Sequence, residues 1–423
     1  MEVSAVEAGA AGVHVRARGR LSWLWGPAFV AAVAYVDPGN VAANLTAGAR
    51  YGYLLLWVLV VANSVAVVVQ YLSAKLGLVT GQSLPELVGS RLPTWPRRLF
   101  WVQAELVAAA TDLAEVVGGA IALQILFGLP LWLGGLIVGV ASMVLLSVQT
   151  SYGQRPFEVV LMGLLGVIAA GFVAGLFVSD VSWGAAAGGL VPRFDGPETV
   201  LIAASMLGAT VMPHAVYVHS SLVRDRHGAM AASGDLGRLV RATRGDVIAS
   251  LLVAGTVNIA MLLLAASSLA GVSGVDTIQG AHDALNTALG PVVGVLFGIG
   301  LLASGLASTS VGSYAGAAIM SGLLKIRLPL LARRVITLLP ALLVLASGVD
   351  PTWALVLSQV LLSLGIPFAV IPLVVFTSDR RLMGPFVNNP SLRVVAWCAV
   401  TGIVALNLAL IGLTVVGAST HGA

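Results

Sequence analysis

The sequence predicts an all-helical membrane protein with eleven spanning helices, two of them interrupted. Three observations carry this. Of the 423 residues 58% are hydrophobic and only 9% charged, the mean hydropathy is +0.98, and apolar runs recur at span length. A soluble domain carries roughly 25% charged residues, so this chain cannot coat a soluble surface of its size. A helical span needs about 20 apolar residues. Runs bounded by Gly, Pro or charge fall at 22–47, 53–78, 99–127, 129–149, 157–178, 198–222, 246–270, 289–323, 329–348, 351–376 and 392–417. The run at 289–323 is long enough to be tilted or to continue past the membrane. None of the remaining stretches has the length of a separate soluble domain.

The basic residues give the orientation. Arg16, Arg18 and Arg20 precede the first run. Lys75, at the inner end of the second run, is followed by Arg91, Arg97 and Arg98, and Arg155 follows the fourth. Arg224, Arg226, Arg238, Arg241 and Arg244 follow the sixth. Lys325, Arg327, Arg333 and Arg334 follow the eighth, and Arg380, Arg381 and Arg393 the tenth. Twenty of the 22 Lys and Arg therefore lie on one side, with only Arg50 and Arg193 outside. Lys and Arg accumulate in cytoplasmic loops. The N-terminus is thus expected in the cytoplasm and the C-terminus outside, in a plasma membrane. A pI near 9.5 reflects these dispersed loops rather than a nucleic-acid surface.

The opposite loops carry Asp180, Asp195, Glu198, Asp276, Asp283 and Asp350. They are either solvated loop residues or a negative face that concentrates cations. Arg16–Arg20 before apolar Pro27–Val36 resembles a signal peptide. The run continues without a clear cleavage site, which indicates a retained first span. A single cysteine, Cys398, excludes an internal disulfide and Cys-rich metal sites.

Spans 1 and 6 contain helix breakers near their middle. The first reads Ala34-Tyr35-Val36-Asp37-Pro38-Gly39-Asn40, the sixth Ala209-Thr210-Val211-Met212-Pro213-His214. Proline cannot bond the carbonyl four residues back, so Pro38 frees Ala34 and Pro213 frees Ala209. At membrane depth such a carbonyl must be buried in protein or line a polar cavity. Spans 1 and 6 are corresponding members of spans 1–5 and 6–10. Five is odd, so the second set runs inverted. The expected organisation is a tail over 1–21, repeats over 22–178 and 198–376, and a last span over 392–417. Paired interruptions in inverted halves point to a transport site at the bilayer midplane.

A charge at the centre of a spanning helix costs about 2.5–3.5 kcal/mol. Asp37 sits there with no Lys or Arg at that depth, which leaves a cation as its natural partner. The candidate shell is the Asp37 carboxylate, the Asn40 amide oxygen, the Ala34 and Ala209 carbonyls, the Met212 thioether and the mid-span Gln359 amide. Ca²⁺ and Mg²⁺ take oxygen ligands. One soft thioether among oxygens suits Mn²⁺ or Fe²⁺ instead.

Span 3 carries a second polar track. Glu105 and Asp112 are two helical turns apart and share a face, with Glu115 close to it. Three lipid-facing carboxylates would cost on the order of 8–10 kcal/mol, so they must turn inward, be protonated or be paired. His214 and His219 follow the second break. Two readings stay open: a proton relay, or a network that ties helices together. Arg333 and Arg334 can pair with these acids, although by charge position alone they read as anchors at the inner interface.

Asp37-Pro38-Gly39-Asn40 and Met212-Pro213-His214 resemble the two signature motifs of the Nramp divalent-metal transporters. The likeness extends over about residues 22–415. It takes in Gly48-Ala49-Arg50-Tyr51-Gly52-Tyr53, Gln103-Ala104-Glu105-Leu106 and Thr111-Asp112-Leu113-Ala114-Glu115. The resemblance implies a LeuT-like fold with two inverted five-helix repeats. It also implies proton-coupled uptake of Mn²⁺ or Fe²⁺, with Co²⁺ and Cd²⁺ carried too, and no permanently bound cofactor. In that family the positions matching Asp37, Asn40, Met212 and the Ala209 carbonyl hold the metal, and Ala34 and Gln359 do so in some states. Those matching Asp112, Glu115, His214, His219, Arg333 and Arg334 serve proton movement or conformational coupling. The intact Met212 argues against the magnesium-carrying subclass.

The rival on the same scaffold is a symporter of amino acids or other solutes, against which Asp37 would repel a substrate carboxylate. A non-transporting membrane sensor needs an output domain that the six residues after Gly417 do not offer. A membrane metalloenzyme lacks a His-Glu-x-x-His pattern. The expected partners are divalent metal ions, protons and the bilayer, with no nucleic acid and no obligatory protein.

Overall fold

The computed structural model describes residues 26–232, 236–272, 274–275, 277–326 and 328–421. The tail with Arg16, Arg18 and Arg20, the start of the first run, Asp276 and Arg327 lie outside the described residues. Every regular element among the described residues is helical.

The first span is assembled from α1 (Pro27–Val33), a 3-10 turn (Ala34–Val36) and α2 (Pro38–Tyr51). Pro27 and Pro38 each stand in the first turn of their helix, where the missing N–H has no intrahelical partner to lose. Then follow α3 (Leu56–Thr80), α4 (Leu84–Arg91), α5 (Thr94–Phe127), α6 (Leu131–Tyr152) and α7 (Gln154–Ala174). A short α8 (Trp183–Gly188) leads to the second broken span, α9 (Pro197–Thr210) and α10 (Pro213–Ala232). The chain continues through α11 (Leu236–Ser268), α12 (Ile278–Leu289), α13 (Pro291–Leu324) and α14 (Leu330–Ala346). It closes with α15 (Pro351–Thr377), α16 (Arg380–Met383) and α17 (Pro390–His421).

Among the described residues nine helical segments are long and apolar enough to cross a membrane. The broken first span and the 17-residue α14, about 26 Å long, complete eleven. The expected run at 289–323 is a single helix, α13, and the short α12 precedes it. Gly290, at φ 91°, ends α12, and α13 runs for 34 residues, about 51 Å, well beyond a hydrocarbon core of about 30 Å.

Buried side chains of α1, α2, α5, α10, α11 and α13 form the main core around the two breaks. By contrast α6, α7 and the Pro390–Ala409 part of α17 turn most of their residues outward, as helices that face lipid do.

Polar ties gather at the arginine-rich end. The buried Asp246 carboxylate accepts the backbone N–H of Gly26 (3.2 Å) and Ala28 (3.1 Å), which holds the start of α1 against α11. Glu158, fully buried on α7, pairs with Arg155 at 3.2 Å and faces Arg226 at 3.7 Å. Lys75 donates to Asn388 at 2.5 Å.

At the start of α4, Glu86 accepts the Ser83 N–H at 2.7 Å and pairs with Arg224. Burial pushes the Glu86 carboxyl up, but the Ser83 N–H and the Arg224 guanidinium outweigh it and hold it below its ordinary value. A depressed pKa means stability that is present above the ordinary carboxylate range and lost as pH falls through the folded value. Glu86→Gln keeps the cap and removes the charge. The variant is expected to be less stable near neutral pH by at most about 1 kcal/mol, because the pair is partly exposed. The difference should shrink as pH falls from the ordinary carboxylate range through the depressed folded value. Thermal melts of both proteins across pH check this, and a pH-independent difference would contradict it.

Candidate metal centre

Asp37 stands between α1 and α2 with extended backbone (φ −77°, ψ 169°). Its Oδ1 caps α2 by accepting the Asn40 N–H at 2.8 Å, an ordinary aspartate cap. The break also releases carbonyls. Asn258 of α11 donates to the Tyr35 carbonyl at 2.8 Å, and Ser304 of α13 to the Val36 carbonyl at 2.5 Å. Asn258 is itself held by Asn44 at 2.9 Å. Among the described residues no side chain donates to the Ala34 carbonyl.

The second break brings Ala209 to the first. Val211 (φ −97°, ψ 82°) ends α9, and Pro213 opens α10. The Asn40 side-chain NH₂ donates to Asp37 Oδ1 at 2.8 Å and to the Ala209 carbonyl at 2.9 Å. Two oxygens from the two broken helices thus meet at one donor. Asn40 thus presents its nitrogen, not its oxygen, to these two groups. Its amide oxygen accepts from Thr210 at 3.3 Å, and its nitrogen faces the carboxylate. Met212 is fully buried at the same break.

Unpartnered polar atoms cluster here. Asp37 Oδ2 and both amide atoms of Gln359 are buried without a hydrogen-bond partner. Gly39 is not itself the break, since it lies inside the first turn of α2. The Gln359 amide occupies the space that a Gly39 Cβ would fill, and Asp37 Oδ2 lies 3.1 Å from the same point. Only glycine lets this amide approach the carboxylate. No group of three His, Cys, Asp or Glu is found among the described residues, so any cation here would meet mixed oxygen and thioether donors.

The span-3 acids separate in α5. Arg334 Nη1 donates to both Asp112 oxygens at 2.5 Å, and its Nε to Ser142 at 2.6 Å. Thr309 also donates to Asp112 at 2.5 Å. Arg333 pairs with Glu105 at 2.5 Å, in a notch where its guanidinium fills the space of a Gly316 Cβ. Arg333 and Arg334 are 3% and 0% exposed. They are therefore not interface anchors, because the carboxylates of α5 draw both inward. Glu115 turns toward α13, with Oε2 2.9 Å from the Gly312 Cβ position, and neither of its oxygens has a partner.

His214 lies 3.5 Å from Thr111 through Nδ1, and its Nε2 has no partner. His219 joins a separate chain, its Nδ1 2.7 Å from Gln70, which in turn donates to the Tyr35 hydroxyl at 2.6 Å. The sequence reading did not single out Gln70, Thr210, Asn258, Ser304 or Thr309. Asn258 and Gln70 carried a usable signal, as polar side chains inside spans.

A family model described as natural resistance-associated macrophage protein-like, Nramp, matches residues 28–413. The chain belongs to the Nramp family. Among relatives of this Nramp protein, the divalent metal cation transporter MntH of Mycobacterium tuberculosis is 57% identical over 399 residues, covering 94% of this chain and 93% of that protein. The protein of the same name from Bacillus subtilis is 44% identical over 397 residues, covering 93% and 92%. A manganese transporter of Eremococcus coleocola, solved in complex with an aromatic bis-isothiourea substituted compound, superposes with a TM-score of 0.83 at 30% identity, covering 92% of this chain and 85% of that one. MhsT in complex with L-phenylalanine superposes with a TM-score of 0.60 at 16% identity, covering 93% and 99%. That last likeness concerns the fold alone, which is LeuT-like, with helices 1 and 6 interrupted.

Proposed function

We propose that this Nramp protein carries divalent transition-metal ions, Mn²⁺ or Fe²⁺, inward across the plasma membrane together with protons, by alternating access. One observation carries the reading. The Asn40 NH₂ sits between the Asp37 carboxylate and the Ala209 carbonyl, so two oxygens from separate broken helices converge on one electropositive group. A divalent ion taking over that position would draw on Asp37, Ala209 and the Met212 sulfur, with the Ala34 carbonyl and Gln359 beside them. Asn40 would turn its amide to offer oxygen, exchanging its Thr210 contact for the metal. The kinship with proteins named divalent metal cation transporter and manganese transporter supports the same reading. Co²⁺ and Cd²⁺ fit the same donor set.

In this account protons move through Asp37, Glu115, His214 and the Asp112–Arg334 pair toward Glu105 and Arg333, with His219 on a side branch. The two inverted repeats, 22–178 and 198–376, rock about the two breaks, and 392–417 adds a last span. The N-terminus lies in the cytoplasm and the C-terminus outside. The bilayer, the metal and protons suffice as partners.

Met212→Ala tests the soft ligand. Mn²⁺ transport should persist, while Mg²⁺ and Ca²⁺ compete about tenfold better, since a thioether handicaps only the hard ions. Competition assays in proteoliposomes read this out, and unchanged selectivity would remove the thioether from the shell.

A further inference from the structure

Arg91, Arg97 and Arg98 lie at the arginine-rich end, on α4 and the first turns of α5. Arg155, Arg224, Arg226, Arg333 and Arg334 all have carboxylates within 4 Å. No described carboxylate comes that close to Arg91, Arg97 or Arg98. Arg91 lies over the Phe376 ring of α15 at 5.7 Å, and Arg98 over Trp95 of α5 at 5.8 Å. Arg97 makes one long contact, 3.5 Å, to the Gly89 carbonyl, and its Nε is buried without a partner. Three unneutralised guanidinium groups thus cap one edge where α4, α5 and α15 meet.

Below that cap lies an apolar seam. On α5 the exposed residues are Trp95, Leu99, Val102 and Leu106, spaced as one helical stripe. On α15 they are Leu364, Phe368, Ile371 and Val375, with the same spacing. The helices run antiparallel, and Phe100 packs edge-on to Phe368 at 6.1 Å. The stripes flank this contact along its length. The cap therefore sits at one end of a greasy seam about 17 Å long, roughly half a hydrocarbon core, with Trp95 between the two.

We propose that this edge binds an anionic phospholipid, its phosphate held by Arg91, Arg97 and Arg98 and an acyl chain laid along the α5–α15 seam. Basic clusters at the mouths of membrane helices suit acidic headgroups, and guanidinium forks match phosphate geometry. A soluble anion would use the cap and ignore the seam. A zwitterionic lipid would use the seam and gain little from the cap. The inference is independent of which ion is carried. It also ties together α5, which bears Asp112 and Glu115, and α15, which bears Gln359.

The test uses the purified full-length protein in detergent, with retained molecules counted by native mass spectrometry. The probes are dioleoyl phosphatidylglycerol, dioleoyl phosphatidylcholine and inorganic phosphate. Phosphatidylglycerol should be retained about tenfold or more over phosphatidylcholine, as three arginine contacts allow. R91A/R97A/R98A should bring it down to the phosphatidylcholine level. R241A/R380A/R381A removes the same charge from the same end and should leave retention within about threefold. Equal retention of the two lipids, or equal loss in both triple variants, would overturn the proposal. So would inorganic phosphate held with the same arginine dependence, since the site would then belong to a free anion. Should the first triple fail to fold, phosphatidylglycerol with a photoactivatable acyl chain is applied to the wild-type protein. Label should concentrate in 95–106 and 364–376, and label spread evenly over the spans would refute the seam.

Discussion

Asp37→Asn is expected to lower Mn²⁺ uptake by about two orders of magnitude or more, with the fold retained. The substitution is chosen for shape. Asparagine caps a helix about as well as aspartate, so the bond from the Asn40 N–H to the side-chain oxygen of residue 37 can persist. What disappears is a full negative charge in a site where Asp37 is completely buried and where no described basic side chain is paired with it. A divalent ion leaving water there must recover its hydration from the ligands, and the carboxylate is the only charged one among them. Each factor of ten in binding is about 1.4 kcal/mol, and a charge–charge contact in a low-dielectric site exceeds several such steps. Radioactive or dye-quench uptake assays on reconstituted protein read this out, beside a thermal melt that checks folding. Uptake within about threefold of wild type would remove Asp37 from the centre of the account.

The second large effect concerns Arg334. It is fully buried and held by both oxygens of Asp112 and by Ser142. Removing one partner of such a pair leaves an uncompensated buried charge and typically costs about 3–5 kcal/mol. Arg334→Ala should therefore unfold at markedly lower temperature or denaturant. The double variant Asp112→Asn, Arg334→Met removes both charges together and should recover most of that loss. It also separates the two roles left open for the network. If the pair only ties α5 to α14, the double variant transports with normal pH dependence. If it relays protons, the double variant folds and carries metal, but its uptake no longer responds to a pH gradient. The account expects the second result.

Span count and break positions were legible because both rest on local chemistry. Apolar runs of fixed length demand helices, and Asp37-Pro38 and Met212-Pro213 interrupt them wherever the rest of the chain lies. The short α4, α8, α12 and α16 escaped a reading that looked for spans. Ser83-Leu84-Pro85-Glu86 carried a capping-box pattern that announces α4. The missed parts of the site depend on long-range packing. Nothing near Tyr35 or Val36 says that Asn258 and Ser304, more than 200 residues away, will take their carbonyls. The sequence supplies Asn40 with both a donor and an acceptor, and only the positions of Asp37, Ala209 and Thr210 decide which end faces the carboxylate. Arg333 and Arg334 read as interface residues because charge near a span end usually is. Their burial follows from Gly316, Ser142 and the α5 acids, which lie on three other helices.

The central claim is that the paired breaks form a site selective for transition metals whose filling is linked to protons. Metal flux into proteoliposomes holding a metal-quenched dye tests it most directly, with Mn²⁺ and Mg²⁺ compared at acidic and neutral external pH. The account predicts Mn²⁺ influx that is faster with acid outside and little influx of Mg²⁺. Mg²⁺ influx equal to that of Mn²⁺, or Mn²⁺ influx indifferent to the pH gradient, would contradict it.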